Sequence, residues 1–164
     1  MNKPLTTIIL LCFSVAANAQ AEKPSWIKVL ELDAKYTATE DLSYAQNASY
    51  RCSAFNMIFG ALTTRDRPND GIGEAMTGRA FEFLQLGDLF GAVKIVSSGG
   101  TPDFDKSTED GDMYQFMIKT YASWLNYSFA NFGEYTGDPD LSAEITFCNQ
   151  QYMAKALKIM DGLD

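Results

Sequence analysis

The chain has 164 residues and a formal net charge of −8, and hydrophobic residues make up 46% of it. This much apolar material excludes a disordered protein, and the length is that of one domain. The acidic balance argues against a nucleic-acid partner, because a duplex binder needs a cationic face. The chain contains no histidine. That absence excludes the usual serine and cysteine triads and most zinc enzyme sites.

The first residues resemble an export signal. A positively charged start precedes an apolar run over residues 5–15 and a small-x-small triplet at residues 17–19. This pattern predicts a secretory signal peptide over residues 1–19, cleaved between Ala19 and Gln20. The apolar run is too short for a transmembrane helix, although an N-terminal membrane anchor is the alternative. We therefore expect a periplasmic or extracellular, bacterial-type protein without a membrane span in its mature part.

The mature chain is predicted to begin with an arm and a long helix. The arm covers residues 21–36, with Ser25 as the cap of a turn or short helix and Trp26 as an apolar anchor. The helix is predicted to start with Thr39 as its N-cap and to end near Arg65, before a turn-rich stretch. Its stripe recurs at spacings of three and four: Leu42, Ala45, Ser49, Cys52, Phe55 or Asn56, Phe59 and Leu62.

A second helix is predicted from about Ile72 to Val96. Gly87 and Gly91 form a Gly-x-x-x-Gly pair, which in lipid would indicate helix dimerisation. Asp88 and Lys94 interrupt the apolar run, so we reject a membrane span. Close packing against another helix, or a break near Gly87, is the interpretation that remains.

The third predicted helix, about Asp110 to Phe132, follows an acidic loop and is the most aromatic part of the chain. The loop fails the EF-hand pattern counted from Asp103, because Thr108 stands where glycine is needed. On a helical wheel the apolar side chains cover roughly 160°: Met113, Trp124, Met117, Tyr121, Tyr114, Phe132, Leu125, Ile118 and Phe129. Such an arc is typical of a bundle core, with a dimer face or a pocket for an apolar ligand as alternatives.

The fourth helix is predicted to begin with Asp138 as N-cap and Pro139 at the first helical position. Its stripe is Leu141, Ile145, Cys148, Tyr152, Ala156, Ile159 and Leu163. The simplest architecture is an all-α, antiparallel up-down four-helix bundle with a short N-terminal arm, in a single domain over residues 20–164. In that topology the first and fourth helices are neighbours.

This arrangement predicts a disulfide bond. Cys52 and Cys148 lie on the apolar stripes of the first and fourth helices, and Cys12 is lost with the signal peptide. In an oxidising compartment we expect these two cysteines to pair. Two buried free thiols are the alternative.

The sequence carries no recognisable catalytic motif, cofactor signature or metal site. It therefore predicts a non-catalytic helical protein with a binding or structural role in the cell envelope and no cofactor. The partner would be a protein or a small apolar ligand, and the aromatic third helix also fits a homodimer. The alternative is a carboxylate-based hydrolase acting on glycans, which needs two facing carboxylates. The candidates are Glu74, Glu82 and Glu144.

Two arginines stand out as lone cations in apolar stretches, Arg51 and Arg79. One hypothesis is that they anchor an anionic ligand. The other is that their stems snorkel along apolar surface, or that they form structural ion pairs with nearby carboxylates.

Overall fold

The computed structural model describes residues 23–26, 28–103 and 111–163, so the predicted signal peptide and the Ala19–Gln20 cleavage site lie outside it. In these ranges the chain is helical and has no strand, which confirms the all-α prediction. The helices are α1 (Val29–Thr39), α2 (Leu42–Asp66), α3 (Ile72–Ser97), α4 (Asp112–Phe132), α5 (Pro139–Phe147), a π-helical turn (Cys148–Tyr152) and α6 (Met153–Asp161). None of the helices within these ranges is long and apolar enough to cross a bilayer.

The N-terminal arm contains a helix, α1, that the sequence pattern left open. Lys28 precedes α1 and makes no side-chain cap hydrogen bond, so the usual N-cap residue is missing. Packing holds α1 in place instead, because Val29 and Leu32 are buried in the core. Counting α5, the π-helical turn and α6 as one continuous last helix, the described chain has five helices where the sequence predicted four and an arm.

The prediction that Thr39 caps the first long helix is wrong. Thr39 is the last residue of α1, and an N-cap must have a non-helical backbone. Asp41 meets that condition with φ −76° and ψ 108°, and its carboxylate accepts a hydrogen bond from the Ser43 N–H at 2.9 Å. The start of α2 is therefore set two residues later than expected.

The contact between α2 and α3 is close because glycines lie in it. A Cβ atom added to Gly87 would lie 2.3 Å from a ring carbon of Tyr50, and one added to Gly91 would lie 2.4 Å from the Gln46 amide nitrogen. The Gly-x-x-x-Gly pair thus lets the two helices approach, and α3 continues through it without a break.

The core consists of two clusters that both include α2. The first joins α2 to α3 and α4 and contains Phe55, Ile58, Tyr114, Tyr121, Trp124 and Leu125 among others. The second surrounds the two cysteines and adds α1 and the last helix, with Val29, Phe83, Phe90, Phe147 and Tyr152. Most of the predicted α4 arc is buried, but Met113, Phe129 and Phe132 are exposed.

The last helix begins as predicted and then contains an unforeseen π turn. The carboxylate of Asp138 accepts a hydrogen bond from the Leu141 N–H at 2.9 Å, and Pro139 occupies the first turn. The buried residues Glu144, Cys148, Tyr152 and Ala156 follow at steps of four. At 3.6 residues per turn each step of four gains about 40°. The wider π turn offsets this drift, so the four residues stay on one face.

Candidate functional site

A buried line of contacts, which we name the seam, joins α2 to the last helix. At its centre Cys52 and Cys148 form a disulfide bond, and neither residue is exposed. The predicted pairing is therefore confirmed. One turn further along the last helix, the Tyr152 hydroxyl donates to the Ala45 carbonyl at 2.6 Å and accepts from the Ser49 hydroxyl at 3.1 Å.

On the other side of the disulfide the seam contains a buried ion pair. Arg51 and Glu144 are only 2% and 4% exposed, and the Arg51 Nη2 atom lies 2.6 Å from the Glu144 carboxylate. The Tyr121 hydroxyl and the Val29 backbone N–H also donate to this carboxylate. The ring of Trp26 covers the guanidinium, with 4.0 Å between Arg51 Cζ and the ring centroid. This charged centre therefore brings together Trp26 and residues of α1, α2, α4 and α5.

Burial determines the protonation behaviour of this centre. It raises the pKa of Glu144 above its ordinary value of 4.5, although the Arg51 charge opposes the shift. Burial and the Glu144 charge together raise the pKa of Tyr121 well above 10. Tyr121 therefore keeps its proton and remains a hydrogen-bond donor to Glu144.

The two arginines singled out in the sequence lie in different settings. Arg51 is buried in its ion pair with Glu144. Arg79 is exposed on α3, and its Nη1 atom donates to the Asn149 carbonyl, in the π turn, at 3.1 Å. Arg51 therefore occupies a structural position, and the anion-anchor hypothesis remains a prediction for both residues.

The candidate carboxylates of the hydrolase hypothesis also differ. The described contacts of Glu144 are with Arg51, Tyr121 and Val29, and none of them is a second carboxylate. Glu74 and Glu82 are exposed on α3. Over the described ranges no group of three or more Cys, Asp or Glu side chains is placed to hold a metal ion.

The arm, which we define as residues 23–39, is fastened by a second set of charges that we name the clasp. Lys23 Nζ lies 3.1 Å from Asp138 and 2.6 Å from Asp140, and Lys28 Nζ lies 2.6 Å from Asp140. Hydrogen bonds from these two lysines hold the pKa of Asp140 at about 2. Unlike the seam, the clasp is partly open to solvent.

An open groove of about 570 Å³ lies between the arm and α4. Its lining consists of Lys23, Pro24, Ser25, Trp26, Phe116, Lys119, Thr120 and Ser123. Trp26 and Phe116 meet edge to face, with ring centroids 6.3 Å apart, and Phe116 is 58% exposed. The lining holds the ammonium groups of Lys23 and Lys119 and no carboxylate, in a chain with a net charge of −8. Lys23 also pairs with Asp138 and Asp140 in the clasp, so Lys119 is the lysine that the groove offers to a ligand. The volume is typical of small-molecule sites.

The sequence predicts only one side of this groove, the arm with Trp26. Trp26 was identified as an apolar anchor, but Phe116 and Lys119 lie outside the buried arc of α4 and were not singled out. The only indication in the sequence was an exposed aromatic residue on the polar side of that helix. The position of the arm could not be read from helical periodicity, because contacts across the fold determine it.

Comparison of the chain with protein-family models, with curated proteins and with solved structures found no match.

Proposed function

We propose that this is an exported, non-catalytic helical protein of the bacterial cell envelope, which binds a small anionic ligand with an apolar body. The observation that carries the proposal is the lining of the groove between the arm and α4. Aromatic rings and lysines occur there together without a carboxylate, although the chain as a whole is acidic.

The chemistry of the lining selects such a ligand. The rings of Trp26 and Phe116 offer apolar surface to a ring or a short chain. Lys119 makes no ion pair with any described residue, and the Ser123 hydroxyl lies on the same side of α4. The Thr120 hydroxyl also lines the groove, but it donates its proton to the Phe116 carbonyl at 2.8 Å. The Lys119 ammonium with the Ser123 hydroxyl beside it fits a carboxylate or a phosphate, because hydrogen bonds to charged groups are the stronger ones.

The remaining parts of the proposal have their own support. A disulfide bond is expected in an oxidising compartment, which agrees with the predicted signal peptide. The hydrolase alternative needs a second carboxylate facing Glu144, and the neighbours described for Glu144 include none. We take α2, α3, α4 and the last helix as an antiparallel up-down bundle against which α1 packs. Intact mass of the exported chain should give Gln20 as the first residue.

Binding is tested with an anionic aromatic probe, 1-anilinonaphthalene-8-sulfonate, titrated against the oxidised protein. We expect saturable binding that Lys119→Glu weakens by about tenfold or more, since a hydrogen bond to a charged group is worth about 1.5–3 kcal/mol. Phe116→Ala should also weaken binding, because it removes apolar contact surface from the groove. Phe129→Ala and Lys158→Glu are matched controls, because they remove an exposed aromatic ring and an exposed lysine outside the groove. Equal losses in test and control variants would contradict the proposal.

Competition then identifies the acid group of the ligand. N-acetyltryptophan presents a carboxylate and phenyl phosphate presents a phosphate, so displacement of the probe by one of them separates the two chemistries. N-acetyltryptophanamide is the neutral control and should displace the probe much less. Equal displacement by the amide would show that the lysines do not contribute, and the anionic ligand class would be wrong.

A further inference from the structure

The joint between α1 and α2 holds a strained residue. Glu40 has φ 56° and is the only non-glycine residue with positive φ among those described. The remaining described residues with positive φ are Gly71, Gly99 and Gly133. Helices commonly end on a left-handed residue of this kind, but it is usually glycine. A residue with a Cβ disfavours this conformation by roughly tenfold.

The sequence at the joint would also permit one continuous helix. Residues 37–43 contain no glycine and no proline, so no helix breaker separates α1 from α2. The bend is held by the docking of the arm together with the Asp41 cap, whose carboxylate accepts from the Ser43 N–H. If the arm were released, residues 29–66 could straighten and relieve the strain at Glu40.

The arm packs against a surface of α2 and the last helix, which we name the seat. A second copy of the chain could supply the same surface. Its contacts reach residues far away in the sequence: Lys23 with Asp138 and Asp140, Lys28 with Asp140, Trp26 with Arg51, Val29 with Glu144, and Asp33 with Lys155. Exchange of an identical element between protomers reproduces every such contact. It therefore forms a dimer without a new interface.

We propose that the arm, residues 23–39, exchanges between two copies of this chain, with Glu40 and Asp41 as the hinge. In the exchanged dimer each arm covers the Arg51–Glu144 pair of the other copy. The groove would then be lined by the arm of one copy and by α4 of the other. The inference stands on the joint and the contacts of the arm, and it does not require the proposed ligand.

The balance between monomer and dimer follows from these contacts. The closed monomer keeps all the contacts of the arm but holds Glu40 in its left-handed conformation. An open monomer would leave the guanidinium of Arg51 without its Trp26 cover. The exchanged dimer keeps the contacts of the arm and relieves the strain at two joints. Its population relative to the monomer rises with concentration, because two chains combine to form it.

Two substitutions at the hinge act in opposite directions. Glu40→Gly removes the strain from the monomer and weakens the continuous helix of the exchanged dimer. We therefore expect the dimerisation constant to fall by about tenfold for each of the two joints, or roughly a hundredfold in total. Glu40→Val should strengthen dimerisation, because a β-branched residue is a genuine outlier at positive φ but fits within a helix. Light scattering after size-exclusion chromatography measures both. The proposal is overturned if these variants and the unsubstituted chain are monomeric at every concentration reached, or if the variants do not differ in dimerisation.

A charge-exchange pair distinguishes arm exchange from a side-by-side dimer. One copy carries Lys28→Asp and the other carries Asp140→Lys, so each copy alone opposes like charges in its own clasp. In an exchanged heterodimer positions 28 and 140 carry opposite charges in both clasps, and Lys23 faces the introduced lysine in only one of the two. We expect mixing to give heterodimers several-fold above the statistical fraction, as measured by native mass spectrometry. A statistical fraction would show that the arms stay on their own chains and would overturn the proposal.

Discussion

The seam and the clasp both contain charged pairs that fasten the last helix to another part of the chain, and the two differ in burial. In the seam the Arg51 and Glu144 side chains are 3% and 2% exposed, whereas in the clasp Lys28 and Asp140 are 42% and 37% exposed. Exposed pairs contribute about 0–1 kcal/mol. Removing one partner from a buried pair costs about 3–5 kcal/mol. The charged pair of the seam therefore matters more to stability than the exposed pair of the clasp.

The disulfide bond should give the largest effect. It closes a loop with a sequence separation of 96 residues, and constraint of the unfolded chain by a loop of about 100 residues is worth roughly 4.7 kcal/mol. We expect the variant Cys52→Ala with Cys148→Ala to lose about that much unfolding free energy in urea. The matched control is the reduced parent protein, which should fall by a similar amount. A loss below about 1 kcal/mol would contradict the view of the seam as the fixed contact.

Breaking the buried ion pair comes next. Arg51→Ala leaves Glu144 buried without its cation, so we expect a loss of about 3–5 kcal/mol in urea unfolding. Arg79→Ala removes an exposed arginine and should cost below about 1 kcal/mol.

A double variant separates the charge from the packing at the same site. Arg51→Met combined with Glu144→Leu removes both charges, and such replacements are often neutral or stabilising. We therefore expect it to recover most of the stability that Arg51→Ala loses. A double variant as unstable as the single one would show that the unpaired carboxylate does not determine the loss, and that the interactions of Glu144 with Arg51, Tyr121 and Val29 do.

A third kind of contact, the close packing of α2 against α3, contains no charged pair and can be tested by adding a methyl group to it. Gly87→Ala places a methyl group against the Tyr50 ring, and we expect a loss of about 1–3 kcal/mol from overpacking. Gly78→Ala is the matched control on the same helix, because no atom lies within 4 Å of its added Cβ. It should stabilise the protein by about 0.5–1 kcal/mol through helix propensity. Equal effects of the two substitutions would mean that the helices do not meet closely.

Much of the seam could be predicted from the sequence, because periodicity marks buried faces. The stripes of α2 and the last helix placed Cys52 and Cys148 on facing sides, and the compartment predicted their oxidation. For Arg51 the sequence offers an ion pair with a nearby carboxylate as one alternative and does not identify Glu144, since which carboxylate meets an arginine depends on helix rotation. The steps of four from Glu144 to Ala156 could have indicated the π turn, because an α-helix does not keep such steps on one face.

The arm was harder to predict for the same physical reason that makes it detachable. Lys28 gives α1 no N-cap, and Glu40 takes a backbone conformation for which the sequence carries no glycine. Thr39 and Asp41 are both good N-cap residues, and only the packing of α1 decides between them. Local signals specify elements that would form alone, whereas α1 depends on the seat to which it docks.

Acid titration should give the smallest effects, with opposite signs in the seam and the clasp. Glu144 has a raised pKa when folded, so the folded state binds its proton more tightly and unfolding free energy falls as the pH rises above 4.5. Asp140 has a folded pKa of about 2, below its ordinary 3.8. Its contribution is present above 3.8 and is lost as the pH falls toward 2. Because Asp140 is partly exposed, we expect that loss to stay below about 1 kcal/mol.

Two isosteric variants separate these contributions in urea unfolding measured from pH 7 to pH 2. Glu144→Gln should remove the decline above pH 4.5, and Asp140→Asn should remove the loss at the acid end. Tyr121 has a pKa raised well above 10 and stays protonated throughout this range, so it does not obscure the slope of Glu144. The comparison uses only the slope of the unfolding free energy against pH. A constant destabilisation caused by Glu144→Gln therefore does not affect it. Slopes of the same sign for the two carboxyls would mean that burial does not separate the seam from the clasp.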